Sequence, residues 1–365
     1  MKSMIRRRMI IGMMCLLFFA GKGNAAGGDT LRYVDAGQFE LIGKGFSHTE
    51  GRYERLPVSL KGVTRGPVWS LSKNCSGLAV RFRSNSTVIA VKWEVTGDIV
   101  MNHFAPSGIK GLDLYCLEKG KWQFVNLARP TAKASRSVLV SRMKPGEREF
   151  MLYLPLYDGL SRLEIGVEPG ASIGNPLVDS PRKSKPVVFY GTSITQGGCA
   201  SRPGMAYPNI LSRMLDRQTI NLGFSGNGKL DLEIASAMAD IDASCFVIDC
   251  LPNVNPQMMR DNYVRFVEII REKRPEAPIL LLESLYYPRM AFDQGLASEV
   301  TQKNTLLYSL WKELKSKGYR NIYFVKGDRF IGDDSEATVD GSHLTDLGFL
   351  RMANHLYPVL KKHIR

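Results

Sequence analysis

The sequence predicts two folded parts, an all-β sandwich over residues 26–178 and a doubly wound α/β domain over residues 186–365. Three observations lead to this fold class. The first part contains short runs in which apolar and polar residues alternate, and the second contains continuous apolar runs separated by helical patterns. Alternation is typical of strands with one buried face, and continuous apolar runs are typical of parallel strands buried on both faces. Between the parts, residues 168–186 are rich in Pro, Gly, Ser and Lys, as expected of a linker.

The first 25 residues have the features of a secretory signal peptide. A basic start precedes an apolar run of about 12 residues (9–20), and Gly23 and Ala25 stand at the minus-three and minus-one places of a cleavage site. The run is too short for an ordinary membrane span, although an uncleaved anchor is the alternative. The sequence therefore predicts an exported protein, periplasmic or extracellular, without stable membrane insertion after cleavage.

Charge and cysteine content exclude several classes of function. The net charge is +14, but the basic residues are scattered, without a long run or interleaved aromatic residues, which argues against a nucleic-acid partner. Five cysteines remain after cleavage, and none lies in a CxxC or local Cys/His spacing. Since the number is odd, at least one thiol is free or paired elsewhere, and we expect neither a disulfide framework nor structural zinc.

Four stretches define the β part. LAVRFRSNSTVIAVKWEV (78–95) alternates on both sides of an Asn-Ser turn and predicts a hairpin, and GLDLYCLEKGKWQFVNL (111–127) predicts a second hairpin around a Lys-Gly turn. REFMLYLPLY (148–157) and SRLEIGV (161–167) predict two further strands. Several short strands without a convincing helical period indicate a sandwich.

The second part alternates strands with helices. Its predicted strands are 186–190, 219–222, 245–250, 278–283 and 321–325. Its predicted helices are 205–216, 231–239, 256–273, 298–317 and 345–362. In such a sheet the ligand lies beyond the carboxyl ends of the strands.

Candidate nucleophile and base residues fall at that edge. Ser193, in VVFYGTSITQGG, follows the first strand by three residues. A serine needs a base to take its proton and a third group to orient the base. His343 in TVDGSHLTDLG, with Asp340 three residues earlier, could supply both. The alternative is that Ser193 is only part of a turn. In that case Asp340 is a turn residue and His343 merely precedes the last helix, which Thr345 or Ser342 caps.

Two further loops offer donors for a developing oxyanion. The second strand leads into NLGFSGNGK, which contains Gly226, and the third leads into CLPNV, which contains Asn253. A backbone N–H and a side-chain amide at this edge could both point into the cleft. Glycine and asparagine are also ordinary turn residues, so this pattern alone decides nothing.

Taken in order, these loops resemble the four sequence blocks of the SGNH hydrolases, the GDSL esterase superfamily. GTSITQGG resembles the first block with Ser193, NLGFSGNG the second with Gly226, LPNV a degenerate third with Asn253, and DGSHLTDLG the last with Asp340 and His343. The resemblance implies a three-layer α/β/α fold and ester hydrolysis without a metal or other cofactor. It implies a Ser193–His343–Asp340 triad, with an oxyanion hole formed by the Ser193 N–H, the Gly226 N–H and the Asn253 side chain.

This sequence departs from the family pattern at two blocks. The first block usually has Asp before the serine, where this chain has Thr192, and the third usually reads Gly-x-Asn-Asp, where this chain has Leu251 and Val254. The second departure falls on both sides of Asn253. GLDLY (111–115) further resembles a small β-domain, jelly-roll-like, that precedes such hydrolases in exported bacterial proteins.

The resulting hypothesis is an exported serine esterase that removes short acyl groups, O-acetyl above all, from carbohydrate or another small ester substrate. One alternative is a broad short-chain carboxylesterase or lysophospholipase. Another is a non-catalytic glycan-binding protein, which the altered third block keeps open. A further hypothesis is that His103, in the loop VMNHFAPSG of the β part, reaches the cleft.

Overall fold

The structure, a computed structural model, describes residues 30–364, in which two antiparallel sheets precede one parallel sheet. The proposed signal peptide lies outside these residues. The antiparallel sheets are built from β1 (Arg32–Asp35), β2 (Glu40–Ile42), β3 (Ala79–Ser84), β4 (Ile89–Val95), β5 (Leu112–Glu118), β6 (Lys121–Ala128), β7 (Ala134–Val140), β8 (Arg148–Tyr153), β9 (Leu160–Val167) and β10 (Ile173–Gly174). The parallel sheet contains β11 (Arg182–Gly191), β12 (Arg217–Gly223), β13 (Cys245–Asp249), β14 (Ile279–Leu282) and β15 (Ile322–Val325).

Most of the helices belong to the second part. The first part contains α1 (Gly66–Leu71) and α2 (Pro106–Lys110). The second contains α3 (Ser193–Gln196), α4 (Tyr207–Leu215), α5 (Leu232–Asp240), α6 (Pro256–Lys273), α7 (Gln294–Ser316) and α8 (Asp346–His363). The five predicted helices correspond to α4 through α8, and the five predicted strands to β11 through β15. None of the helices in the described range is long and apolar enough to cross a membrane.

The antiparallel part is a sandwich. One sheet has the order β1-β9-β4-β7, and the other has the order β10-β3-β8-β5-β6 with β2 paired to β3. Their inner faces share one apolar cluster, which contains the stacked rings of Phe82 and Phe150 and the buried Trp93. The predicted all-β architecture is confirmed.

The predicted hairpin over 78–95 is wrong, because its two strands lie in different sheets. β3 pairs with β2, β8 and β10, whereas β4 pairs with β7 and β9. Alternation identifies the buried face of each strand but not the strand that pairs with it. Here the buried face of β3 and the buried face of β4 contribute to the same core from two different sheets. The second predicted hairpin, β5 with β6, is confirmed by the pairing of Glu118 with Lys121.

The parallel sheet has the order β12-β11-β13-β14-β15 and is covered on both sides. Alternate residues of β11 face opposite clusters, so that Val188 and Tyr190 pack toward α5 and α6, whereas Val187 and Phe189 pack toward α4 and α8. This is the three-layer α/β/α arrangement, and it brings the carboxyl ends of β11, β12 and β13 together.

The GLDLY segment connects the two parts. Asp113 is fully buried and accepts hydrogen bonds from the Arg202 guanidinium at 2.7 Å and from the Gly204 N–H at 2.9 Å. The phenol oxygen of Tyr115 accepts from the same guanidinium at 2.6 Å. The β part therefore holds the segment that follows α3, at the edge of the sheet where the candidate residues lie.

Candidate active site

Ser193 is the first residue of the short helix α3, directly after β11. Thr192 caps this helix, because its hydroxyl oxygen accepts a hydrogen bond from the Ile194 N–H at 3.2 Å. The helix ends at Gly197, whose φ of +104° is a conformation that favours glycine. The residue that replaces the usual Asp of the first block is therefore a helix cap.

The backbone of Ser193 is held from two sides. Its carbonyl oxygen accepts from the N–H groups of Gly197 at 2.9 Å and Gly198 at 2.8 Å, and from the Tyr157 hydroxyl at 3.2 Å. Tyr157 follows β8, so the β part contributes to this support. The Ser193 hydroxyl thus projects from a fixed backbone, with a residue exposure of 8%.

Ser193, His343 and Asp340 form a continuous hydrogen-bonded chain. The Ser193 Oγ lies 3.0 Å from the His343 Nε2, and the His343 Nδ1 lies 2.7 Å from the Asp340 Oδ2. The other carboxylate oxygen of Asp340 accepts from the N–H groups of His343 at 2.7 Å and Ser342 at 3.0 Å. The loop before α8 therefore fixes the imidazole and aims its second nitrogen at the serine.

Asp340 is held in its ionised form. Partial burial opposes the charge, but the hydrogen bonds from the His343 side chain and from the backbone of His343 and Ser342 prevail, and the pKa of Asp340 is lowered to about 2. Since the carboxylate is charged at neutral pH, it favours the imidazole tautomer with hydrogen on Nδ1, which leaves Nε2 free to accept a proton.

The two oxyanion candidates lie in fixed turns. Gly226 has a φ of +66° inside a turn closed by the Asn227 N–H and the Phe224 carbonyl at 2.8 Å. None of the hydrogen bonds found within residues 30–364 uses the Gly226 N–H. The Asn253 side-chain oxygen accepts from the Gly228 N–H at 3.2 Å, and this contact orients the amide and leaves its NH₂ group to donate elsewhere.

Gln196 joins the first two loops, and sequence reasoning missed it. This side chain is fully buried. Its oxygen accepts from the Ser225 N–H at 2.9 Å, and its nitrogen donates to the Asn74 side-chain oxygen at 3.0 Å and to the Leu156 carbonyl at 3.1 Å. The only signal in the sequence was its place inside GTSITQGG, where it resembles any other turn residue.

A cleft of about 230 Å³ opens beside the hydrogen-bonded chain. Ser193, Asn253 and His343 line it together with residues of α7 that the sequence analysis did not single out: Leu296, Glu299, Val300 and Lys303. Gly226 is not among the lining residues of this cleft. The α7 wall is apolar near its start and carries a Lys303–Glu299 ion pair of 2.8 Å.

His103 of the β part does reach the site. Its ring centroid lies 5.6 Å from that of His343. Cys199, whose thiol is free, completes a cluster in which one potential ligand atom from each of the three residues lies within 4.8 Å of the other two. Burial raises the pKa of Cys199 to about 12, and the charge of Asp340 adds to this shift. All five cysteines of the described range are free.

A buried carboxyl group holds α3 in place through a hydrogen bond. Asp249, at the end of β13, accepts hydrogen bonds from the hydroxyl groups of Thr195 at 2.8 Å and Tyr207 at 2.9 Å. Complete burial raises its pKa to about 7, against the opposing effect of these two donors. Asp249 therefore takes up its charge in the folded protein only near neutral pH.

We predict that Asp249→Asn removes a pH-dependent loss of stability. The folded state keeps a proton that the unfolded chain releases above about pH 4, so the free energy of unfolding of the wild type falls as pH rises toward the folded pKa, and is level above it. Between pH 5 and pH 8 the Asp249 carboxyl group alone lowers the free energy of unfolding by up to about 3 kcal/mol. Urea unfolding of both proteins at the two pH values measures the difference, and parallel pH dependences would contradict the prediction.

Comparison with known proteins agrees with this architecture. Residues 184–361 match the model of the GDSL-like lipase/acylhydrolase family, and residues 31–173 match the GxDLY model for the N-terminus of SGNH-hydrolase-type esterases. A crystal structure from Bacteroides ovatus, described as a GDSL-like lipase, is 40% identical, with a TM-score of 0.87 over 92% of this chain and 99% of that one. The chain therefore belongs to the GDSL-like lipase/acylhydrolase family, with the N-terminal domain of SGNH-type esterases.

More distant structures share the fold. A salicylyl-acyltransferase from a tetracycline biosynthetic pathway is 20% identical, with a TM-score of 0.75 over 92% of this chain and 98% of that one. An acetyl xylan esterase from the rumen bacterium Butyrivibrio proteoclasticus is 14% identical, with a TM-score of 0.54 over 91% of this chain and 99% of that one. No protein of curated function gave a significant sequence match.

Proposed function

We propose that this protein is an exported serine esterase that hydrolyses short-chain acyl esters, O-acetyl esters on carbohydrate above all. The observation that carries the proposal is the hydrogen-bonded chain from Ser193 through His343 to Asp340, in which both imidazole nitrogens are engaged. Such a chain is the arrangement that activates a serine hydroxyl for acyl transfer.

In this mechanism His343 takes the proton from Ser193 as the oxygen attacks the ester carbonyl. The N–H groups of Ser193 and Gly226 and the Asn253 amide receive the oxyanion, and His343 then gives its proton to the departing alcohol. An acyl-enzyme remains. Water, deprotonated by His343, attacks it and releases the acid and the serine. Asp340 stays ionised throughout and stabilises the charged imidazole.

The volume of the cleft, one structural neighbour and the signal-peptide pattern support the choice of substrate. A volume of about 230 Å³ lies below the range of about 300–1,000 Å³ that is usual for ligand pockets, and suits a small acyl group. One structural neighbour is an acetyl xylan esterase by name, although its identity to this chain is low. The signal-peptide pattern in the first 25 residues supports export, where polymeric glycans are met.

The experiment is hydrolysis of a series of 4-nitrophenyl esters from acetate to octanoate, followed by acetate release from acetylated xylan and fatty-acid release from lysophosphatidylcholine. We expect kcat/KM to be highest for the acetate and to fall as the chain lengthens. A preference for octanoate or for lysophosphatidylcholine would replace the carbohydrate proposal with the lipid one. No turnover of any ester by the folded protein would favour a non-catalytic glycan-binding protein.

Asn253→Ala is expected to lower kcat for 4-nitrophenyl acetate by about 10² to 10³, with little change in KM, because the lost donor acts on the developing oxyanion. Steady-state kinetics measures both constants. The matched control is Asn255→Ala. Asn255 caps α6 through the Met258 N–H at 2.9 Å, so its loss should lower the melting temperature and leave kcat unchanged. Equal kcat for Asn253→Ala and wild type would remove Asn253 from the oxyanion hole.

A further inference from the structure

We propose that His103, Cys199 and His343 form an inhibitory binding site for a divalent cation of borderline softness, of which Zn²⁺ is the representative. The three residues come from three separate segments, the loop after β4, the turn after α3 and the loop before α8. No short sequence motif joins them, and the tertiary structure assembles the donor set, two imidazole nitrogens and one thiol sulfur.

The spacing of the cluster suits tetrahedral coordination. One potential ligand atom from each residue lies within 4.8 Å of the others. With Zn–N near 2.0–2.1 Å and Zn–S near 2.3 Å, ligand atoms around tetrahedral zinc are roughly 3.3–3.6 Å apart. Contraction by up to about 1.2–1.5 Å closes the site. His103 is exposed, so its ring can turn toward the other two residues.

The outer contacts of both imidazoles are already in place. The Nδ1 of His343 faces the Asp340 carboxylate at 2.7 Å, and the Nδ1 of His103 faces the Asn102 side-chain oxygen at 2.9 Å. Histidines that bind metals usually donate their second N–H to such an oxygen, which fixes the ring and its tautomer. Each ring is thereby left with Nε2 as the atom that can bind the ion.

Cys199 supplies the donor that sets the class of ion. It adopts a left-handed backbone conformation with a φ of +72°, and its thiol has no disulfide partner. When the Zn–S bond forms, the S–H bond breaks and the proton passes to solvent. Imidazole and thiolate ligands favour Zn²⁺ and Co²⁺ over Mg²⁺ and Ca²⁺, and a water molecule can fill the fourth position.

Occupation of this site blocks the proposed reaction directly. The ion takes the lone pair on the His343 Nε2, the atom that lies 3.0 Å from the Ser193 hydroxyl and receives its proton. Zinc bound here is therefore an inhibitor and not a cofactor. This effect rests on the proposed esterase function, whereas binding of the ion does not.

Binding is tested without activity, on Ser193→Ala protein, which keeps all three ligands. Titration with Co²⁺ should produce a thiolate-to-cobalt charge-transfer band that saturates at one Co²⁺ per protein chain. Calorimetry with Zn²⁺ should show the same stoichiometry. Adding His103→Ala or Cys199→Ser should weaken binding by about 10-fold or more, and Cys199→Ser should abolish the band. Absence of the band in the parent protein would overturn the proposal.

Inhibition is tested on the wild type in a buffer free of thiols and chelators. We expect ZnCl₂ to inhibit hydrolysis of 4-nitrophenyl acetate, EDTA to restore it, and MgCl₂ to have no effect. His103→Ala and Cys199→Ser should each raise the half-inhibitory zinc concentration by about 10-fold or more.

The matched controls are His48→Ala, at an exposed histidine elsewhere, and Cys116→Ser, at a buried cysteine of the sandwich, and both should be inhibited like wild type. His103→Ala is at an exposed position, so its result stands even if Cys199→Ser fails to fold. Zinc inhibition that is equal in wild type and His103→Ala would overturn the proposed site. If no ester is hydrolysed, the cobalt titration still decides whether the cluster binds metal.

Discussion

Ser193→Ala is expected to lower kcat for 4-nitrophenyl acetate by about 10⁶, the largest effect we predict for a single substitution. The change removes the atom that forms the acyl-enzyme, so that only the residual rate from oxyanion stabilisation and substrate binding remains. Ser193 lies at the start of α3, where alanine is tolerated, and its carbonyl keeps the contacts from Gly197, Gly198 and Tyr157. The melting temperature should therefore change little.

Two further measurements make this prediction specific. Ser236→Ala, at an exposed position on α5, should retain wild-type kcat. A phosphonate ester that phosphonylates active-site serines should label wild-type protein on the peptide that contains Ser193 and leave Ser193→Ala unlabelled, as judged by mass spectrometry. Retention of more than about 1% of kcat by folded Ser193→Ala would mean that the nucleophile is another residue.

Asp340→Asn is expected to lower kcat by about 10⁴ with a much smaller change in KM. The asparagine can still accept the backbone N–H groups of Ser342 and His343, so the loop keeps its shape. Its amide, however, presents N–H to the His343 Nδ1 and favours the tautomer that carries hydrogen on Nε2. That tautomer cannot take the proton of Ser193, and the negative charge that stabilises the imidazolium is gone.

Asp334→Asn is the matched control. Hydrogen bonds from the Arg351 guanidinium lower the pKa of Asp334 to about 2, the same value as for Asp340, but the hydrogen-bond partners of Asp334 are Arg351 and the Glu336 N–H and not His343. If a low carboxyl pKa or general surface charge were sufficient, both variants would lose activity. We expect only Asp340→Asn to do so, and wild-type kcat in that variant would show that another group orients the imidazole.

Much of the α/β part could be predicted from the sequence. Continuous apolar runs such as 245–250 mark strands buried on both faces, and this property belongs to the segment itself, whatever its neighbours are. Ligands of such folds lie beyond the carboxyl ends of the parallel strands, and this rule predicted that Ser193 and the loop of Asp340 and His343 lie at one edge of the sheet. The structure places the three residues there in a hydrogen-bonded chain.

The β part shows which features of the fold local sequence patterns do not predict. Alternation in 78–95 marked two half-buried strands correctly, yet their pairing as a hairpin was wrong, because β3 and β4 each pair with strands from later in the chain. The linker prediction also missed β10 and the start of β11, and no pattern indicated β7. An edge or polar strand carries little apolar signal, and a partner strand carries none in its own sequence.

The sequence by itself determined the class of the second fold, the edge of the sheet where the candidate residues lie, and the residue types that stand there. Only the tertiary structure decided which distant side chains meet at that edge. Gln196 joins two loops of the site, and His103 of the sandwich meets Cys199 and His343. The physical reason is that hydrophobic periodicity reports which face of a segment is buried, whereas contacts between residues from different segments of the chain depend on how whole elements pack.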